Sequence, residues 1–146
     1  MAGTGTGGIQ VTLLGRLGMS IDHARSCYSK LASDVFSDKK LISLGGPVFK
    51  ASKLEQVLRS IVKNQTGDPH EPMIQTDYNG CKVFVCAMSK HNMNAGIPCI
   101  MRTYFAPENQ LPNYTICETL RATTAHPELF KSIEIGDPPT RESFVD

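Results

Sequence analysis

The chain opens on residues 3–8, Gly3-Thr4-Gly5-Thr6-Gly7-Gly8, which stand directly before the apolar run Ile9-Gln10-Val11-Thr12-Leu13-Leu14. The glycines let the backbone turn sharply and approach another group closely, because glycine carries no Cβ. Two chemistries use such a turn: a phosphate cradle at the start of a helix, and a nucleophile elbow, Gly-x-Ser-x-Gly, between a strand and a helix. The spacing of Gly3, Gly5 and Gly7 fits the elbow, with glycine at the serine position.

The segments on either side of this turn bear on that choice. Ile9, Leu13 and Leu17 recur at helical spacing, which predicts a helix after the turn. Only Met1 and Ala2 precede the turn, so no strand is expected there, although an elbow needs one. Either the turn has no strand, or the chain begins partway into a larger domain.

The same glycines also satisfy the dinucleotide fingerprint Gly-x-Gly-x-x-Gly, as Gly3, Gly5 and Gly8. That fingerprint needs a preceding strand and an acidic residue about 20 residues further on, at the end of the next strand. Asp22 lies at that distance, but it falls in the first turn of a helix that Ser20 is predicted to cap. We therefore disfavour a nucleotide site.

The remainder of the chain predicts strands that alternate with helices. The predicted helices are 9–17, 20–36, 52–63 and 114–125, and the predicted strands are 82–88, 99–105, 130–135 and 143–146. Ser52 and Glu55 fit a capping box, and Glu118 and Arg121 are expected to form a surface pair. The continuous apolar run at 82–88 is typical of a strand buried on both faces of a parallel sheet. This order favours a single layered α/β domain.

Composition argues against several classes of protein. A chain of 146 residues fits one domain, and its 15 basic and 14 acidic residues leave a net charge of +1, which gives no case for a nucleic-acid partner. No apolar run approaches the ~20 residues of a membrane span, and no signal peptide is visible. The expected location is therefore cytoplasmic or peripheral to intracellular membranes. The cysteines and histidines lack metal-ligand spacing, so neither a metal nor a cofactor is expected, and His126 is expected to be structural or solvated.

A series of segments along the chain matches the pattern of a known family. After the glycine turn they are Leu13-Leu-Gly-Arg-Leu-Gly-Met-Ser-Ile21, Cys81-Lys-Val-Phe-Val-Cys-Ala-Met-Ser89, Asn92-Met-Asn-Ala-Gly-Ile-Pro98, Phe105, Leu120-Arg-Ala-Thr-Thr-Ala125 with Pro127, Phe130-Lys-Ser-Ile-Glu-Ile-Gly136 and Phe144-Val-Asp146. In this order they resemble the patatin-like phospholipases, especially the fungal branch. There the elbow usually reads Gly-Thr-Ser-Thr-Gly-Gly, and the last segment resembles the start of an Asp-Gly-Gly or Asp-Gly-Ala motif.

The resemblance implies a three-layer α/β/α sandwich with a mainly parallel sheet and a Ser-Asp dyad. In that family the serine attacks the ester carbonyl of a lipid and forms an acyl-enzyme, and the aspartate handles its proton. Mapped onto this chain, the nucleophile position is Gly5 and the acid/base position is Asp146. The elbow motif comprises Gly3, Thr4, Gly5, Thr6 and Gly7. The expected partner is a lipid or phospholipid acyl ester.

Three departures from the family pattern predict that the chain does not catalyse. Gly5 carries no nucleophile, the glycine-rich oxyanion loop would lie before Met1, and the glycine that should follow Asp146 is absent. Thr4 and Thr6 are expected to point away from the cleft, so neither hydroxyl replaces the serine. Losing a catalytic serine costs roughly 10⁶-fold in rate. Residues 1–146 are thus expected to be part of such a domain, incomplete at both ends.

Three functions remain open from the sequence. The first is a patatin-like lipid acyl hydrolase by resemblance, inactive as written. The second is a non-catalytic module that keeps the acyl groove and binds a lipid or a protein partner. The third is a non-functional gene fragment with no independent fold. Saturable lipid binding would favour the second function, and cooperative unfolding of the soluble monomer would argue against the third.

Overall fold

The computed structural model describes residues 1–37, 46–76, 79–107 and 112–145. Its elements are β1 (Ala2–Thr4), α1 (Gly5–Val11, continued by a π-helical segment, Thr12–Arg16), α2 (Ile21–Phe36), α3 (Ala51–Thr66), β2 (Phe84–Ser89), a 3₁₀ turn (Met93–Ala95), β3 (Cys99–Arg102), α4 (Ile116–Thr123), β4 (Ile133–Ile135) and β5 (Glu142–Val145). The predicted mixture of helices and a sheet is confirmed. Among the described helices, none has both the length and the apolar character that a membrane crossing requires.

β2 lies at the centre of the sheet. β1 pairs with it in parallel, β3 pairs with it antiparallel, and β5 pairs antiparallel with its C-terminal end. β4 extends the sheet as the antiparallel neighbour of β5. The expectation of a mainly parallel sheet is therefore wrong for the described strands. The reason is connection length, because the short segments 90–98 and 136–141 make hairpins, whereas a parallel pair needs a crossover of a dozen or more residues.

The side chains of β2 alternate between the two faces of the sheet. Positions 85, 87 and 89 are buried, whereas positions 84, 86 and 88 are half-buried. Val85 belongs to a core cluster with Ile9 of α1, and Ala87 belongs to a second cluster with Ala122 of α4. The predicted burial on both faces is thus wrong. An uninterrupted apolar run does not reveal how completely each face of a strand is covered.

The strand that the sequence interpretation lacked is β1, and the glycine run itself supplies it. Gly3 pairs with Val85, and Thr4 pairs with Cys86. Met1 is also bonded to β2, because its carbonyl accepts a hydrogen bond from the Phe84 N–H at 3.0 Å. The prediction of no strand is wrong, because the first residues of the glycine run are part of β1 and the turn begins only after them. Glycine is uncommon in strands, but its backbone can still pair with a neighbouring strand, here the central strand β2.

The helix starts are only partly as predicted. The Ser20 Oγ accepts a hydrogen bond from the His23 N–H at 3.3 Å, which confirms the cap of α2. α3 begins at Ala51, so Ser52 lies inside the helix and its predicted capping box is wrong. Glu55 instead accepts a hydrogen bond from Arg59, one turn further on, at 2.7 Å. A capping box does occur on α4, between its first-turn glutamate and the preceding threonine.

Candidate functional site

The turn at Gly5 joins a strand directly to a helix. β1 ends at Thr4 and α1 begins at Gly5, with no residue between them. Gly5 has a φ of 55°, in the left-handed region that glycine adopts without steric cost. A nucleophile elbow needs this strand–turn–helix order and a strained central residue. The strand–turn–helix order is present at Gly5, and its left-handed backbone angle would be strained in a residue other than glycine.

Close packing explains two of the neighbouring glycines. A Cβ on Gly3 would lie 2.5 Å from the Gly7 carbonyl oxygen, because α1 folds back against β1. A Cβ on Gly8 would lie 2.9 Å from a methyl group of Thr123 on α4. By contrast, a Cβ on Gly7 would meet no other atom within 4 Å. Positions 3 and 8 therefore require glycine for space, and position 5 favours it for its backbone angle.

Thr123 on α4 holds the turn in place. Its hydroxyl accepts a hydrogen bond from the Gly5 N–H at 2.8 Å and donates one to the Cys86 carbonyl at 2.6 Å. One side chain thus connects the turn, α4 and β2. Sequence reasoning missed this role, because a threonine near the end of an apolar helix is usually a packing residue. No local signal distinguished Thr123 from Thr124, whose hydroxyl donates to the Leu120 carbonyl within the same helix.

An apolar cavity of about 60 Å³ lies beside Gly5. Apolar side chains form most of its wall, namely Ile9, Tyr28, Leu31, Phe36, Leu54, Leu129 and Phe130. The polar lining is Thr6, Thr124 and His126. Thr6, expected to face elsewhere, is therefore among the lining residues, and His126 stands at the site rather than apart from it. An apolar wall with a few polar groups beside it is typical of small-molecule sites.

The predicted acid/base residue, Asp146, lies outside the described residues. The residue before it, Val145, ends β5 and pairs with Met88. Thr4 ends β1 and pairs with Cys86. These two β2 positions are two residues apart, or about 7 Å along a strand. Because β5 is antiparallel to β2, its backbone runs towards Cys86, and both strands end against the same stretch of β2.

Two thiols of the described chain, the half-buried Cys99 and the buried Cys117, are not activated nucleophiles. Burial is the main cause that raises the pKa of Cys99 to about 11, and burial likewise raises the pKa of Cys117 to about 11. Burial also raises the pKa of the neighbouring Tyr114 phenol. These groups stay protonated at neutral pH, and a thiol attacks only as its thiolate. Among the residues that the structure describes, no group of three His, Cys, Asp or Glu side chains is placed to hold a metal ion.

A buried arginine with three hydrogen-bond acceptors lies where the first helical segment ends. The Arg16 side chain is 7% exposed, and it forms an ion pair with Glu71 at 2.7 Å. Its Nε donates to the Met73 carbonyl at 3.0 Å, and its Nη2 also donates to the Pro72 carbonyl at 2.7 Å. Arg16 therefore ties the helix that starts at Gly5 to the segment 71–73.

A second buried arginine lies on α4. Arg121 is 2% exposed, so the predicted surface pair with Glu118 is wrong, and Glu118 caps α4 instead. The Arg121 Nη2 donates to the Lys131 carbonyl at 2.9 Å. Its guanidinium also lies 6.0 Å from the centre of the Phe130 ring, which lines the cavity beside Gly5. Within the described part of the chain, its Nε and Nη1 have no hydrogen-bond partner.

Comparison with known proteins does not assign the chain to a family. No family model matches the sequence. No curated protein matches it either. The likeness to the patatin-like phospholipases therefore depends on the motifs quoted above.

Proposed function

We propose that this chain is a patatin-like lipid acyl hydrolase domain whose elbow carries glycine, and that it binds an acyl chain without cleaving an ester. The observation that carries the proposal is the β1–Gly5–α1 turn, which stands beside an apolar cavity. Hydrolases of this kind need a nucleophile at the turn and an apolar site for the acyl chain next to it. The apolar site is present beside Gly5, and the nucleophile is absent.

The loss of catalysis follows from position 5. Gly5 has no side chain, so no covalent acyl intermediate can form there. Its N–H is also engaged by the Thr123 hydroxyl at 2.8 Å, which occupies a donor beside the reacting centre. A site without a side chain at this position leaves room for the head of a bound lipid. Binding is thus the activity that this arrangement favours.

The proposal also covers Asp146 and the second helical layer. We assign Asp146 the acid/base position of the ancestral dyad, and the pairing of Val145 two β2 positions from that of Thr4 supports this. The three-layer sandwich remains part of the proposal too. Its support is the half-buried row Phe84, Cys86 and Met88 on the second face of β2, which is a surface suited to a further layer of helices.

A gain-of-function substitution tests the elbow directly. Gly5→Ser should make position 5 react with a fluorophosphonate probe, because the strained turn would present the new hydroxyl beside the cavity. The matched control is Thr6→Ser, one residue further along α1, which should remain unlabelled, as should the unaltered chain. Peptide mapping by mass spectrometry locates the label. Equal labelling of both variants, or of neither, would count against an elbow at Gly5.

A binding measurement tests the retained function. Titration with sodium hexanoate, followed by calorimetry, should give saturable binding at one site, while the unaltered chain should not hydrolyse a p-nitrophenyl alkanoate. Leu31→Trp fills the cavity and should abolish binding, whereas Val57→Leu, at a position that does not line this cavity, should not. Ester turnover by the unaltered chain would overturn the proposal. So would the absence of saturable binding.

A further inference from the structure

A second apolar space adjoins the cavity beside Gly5. It is an open groove of about 280 Å³ between the first helical segment and α2. Its lining residues are Gln10, Leu13, Leu14, Ile21, Ala24, Arg25 and Tyr28. Tyr28 also lines the cavity beside Gly5, so one side chain belongs to both spaces.

Helical spacing places the two spaces in line. On α2, Ile21, Ala24, Tyr28 and Leu31 recur every three or four residues and therefore share one face. The first two line the groove, Leu31 lines the cavity, and Tyr28 lines both. The first helical segment shows the reverse order along the chain. Ile9, which comes first, lines the cavity, and Leu13, one turn later, lines the groove. The order of the lining residues on both helices therefore places the cavity and the groove next to each other, with Tyr28 as the residue common to both.

Their volumes differ in what they can hold. The cavity beside Gly5 measures about 60 Å³, which is well below the ~150 Å³ of an apolar cavity that binds benzene. It admits the first carbons of an acyl chain and no more. The groove, at about 280 Å³, exceeds that reference and is wide enough for a longer chain. The residue between them therefore decides how long a bound chain can be.

We propose that Tyr28 limits the length of the acyl chain that this site accepts. The inference rests on the proposed function, because it assumes that the cavity beside Gly5 receives an acyl chain. The Tyr28 ring closes the inner end of the cavity, so only the first carbons of a chain are buried, and chains longer than butanoyl or hexanoyl gain no further contact. A smaller side chain at position 28 joins the cavity to the groove and admits a dodecanoyl chain.

The test is a series of sodium alkanoates from butanoate to dodecanoate, each below its aggregation threshold and titrated by calorimetry. In the unaltered chain, affinity should stop rising after hexanoate. In Tyr28→Ala it should continue to rise by roughly fourfold per methylene, the gain that burying each methylene gives. Tyr28→Phe keeps the ring and should retain the short-chain limit. Tyr28→Leu removes less volume and serves if the alanine variant does not fold.

A change at the far end of the groove gives an independent check. Ile21 is 76% exposed and lines only the groove, so Ile21→Trp should fold and should leave every alkanoate affinity of the unaltered chain unchanged. In the Tyr28→Ala background the same change should remove the gain for dodecanoate and spare hexanoate.

Two results would overturn the inference and leave the proposed function standing. One is an affinity that rises through dodecanoate in the unaltered chain as it does in Tyr28→Ala. The other is a folded Tyr28→Ala or Tyr28→Leu variant that keeps the short-chain limit. If the unaltered chain binds no alkanoate of any length, the proposed function fails, and the role of Tyr28 fails with it.

Discussion

Arg16 and Arg121 are both buried, yet their surroundings differ. Arg16 has a carboxylate and two carbonyls within hydrogen-bond distance. Arg121 has one carbonyl partner, and its Nε and Nη1 are unsatisfied among the described residues. Burial is the main cause that lowers the pKa of Arg121, although the negative charge of Glu55 opposes this.

The difference shows that burial of a charge does not by itself stabilise a fold. A buried charge costs several kcal/mol of solvation, roughly, and only good partners offset that cost. Arg16 has those partners and stabilises the connection between the first helical segment and residues 71–73. Arg121 has one carbonyl partner among the described residues, so less of that cost is offset. What it retains is its contact with Phe130, a wall of the cavity beside Gly5.

The largest effect is expected when Arg16 is removed. Arg16→Met should lower the free energy of unfolding by about 3–5 kcal/mol, because Glu71 and two carbonyls lose their donor together. Equilibrium urea unfolding measures this loss. A change below about 1 kcal/mol would place Arg16 in the same class as Arg121 and would remove the contrast.

A smaller loss is expected when only the charge of the partner changes. Glu71→Gln keeps an oxygen that can accept from Arg16 but leaves the guanidinium without its counter-charge. We expect unfolding to become easier by about 1.5–3 kcal/mol, the range for a hydrogen bond to a charged group. The same urea titration compares it with Arg16→Met. A loss larger than that of Arg16→Met would mean that the carboxylate acts through another residue.

For Arg121 we expect stability and binding to change in different ways. Arg121→Met keeps the aliphatic volume and removes an under-partnered charge, so unfolding should be unchanged or harder by about 1 kcal/mol. Hexanoate affinity should fall about threefold, because Phe130 loses a cation–π contact worth roughly 0.5–1 kcal/mol. Urea unfolding and calorimetry measure the two effects. A large loss of stability would show that Arg121 is well paired in solution.

The smallest effect is expected at the exposed pair beside Arg121. Arg59→Gln frees Glu55 from its ion pair, whose side chains are 43% and 38% exposed. Because one-turn pairs on a helix surface contribute about 0.3–0.5 kcal/mol, the loss should be no larger than that. If Glu55 then turns towards Arg121, the double variant Arg59→Gln with Arg121→Met should be less stable than the two single changes predict. Strict additivity would exclude that coupling.

The sequence predicted the local features of this fold better than the tertiary ones. Ser20 and the apolar period of α2 were sufficient for that helix, because a cap and an amphipathic face are local signals. The Gly3–Gly8 spacing likewise predicted a sharp turn, which the φ of Gly5 bears out. β1 was missed because a strand this short in a glycine run forms only against its neighbour β2.

The candidate site depended on contacts that spacing does not encode. The bond between Gly5 and Thr123 joins residues 118 positions apart. The burial of Arg121 likewise depends on how α4 packs, whereas its spacing from Glu118 suggested a surface pair. His126 is exposed, in agreement with a solvated side chain, but only the fold shows that it also lines the cavity beside Gly5. Contacts between residues so far apart in the chain cannot be inferred from a single sequence.

The hydroxyl of Thr123 also makes the turn a reporter of local opening. Its hydrogen bond to the Gly5 N–H crosses from α4 to the first turn of α1, so that amide cannot exchange with solvent deuterium until α4 moves away. The exchange rate of this single proton therefore measures how often the junction between α4 and the sheet opens. A ligand in the neighbouring cavity should slow the exchange of the Gly5 amide proton, so this rate would report ligand binding through the opening of the junction.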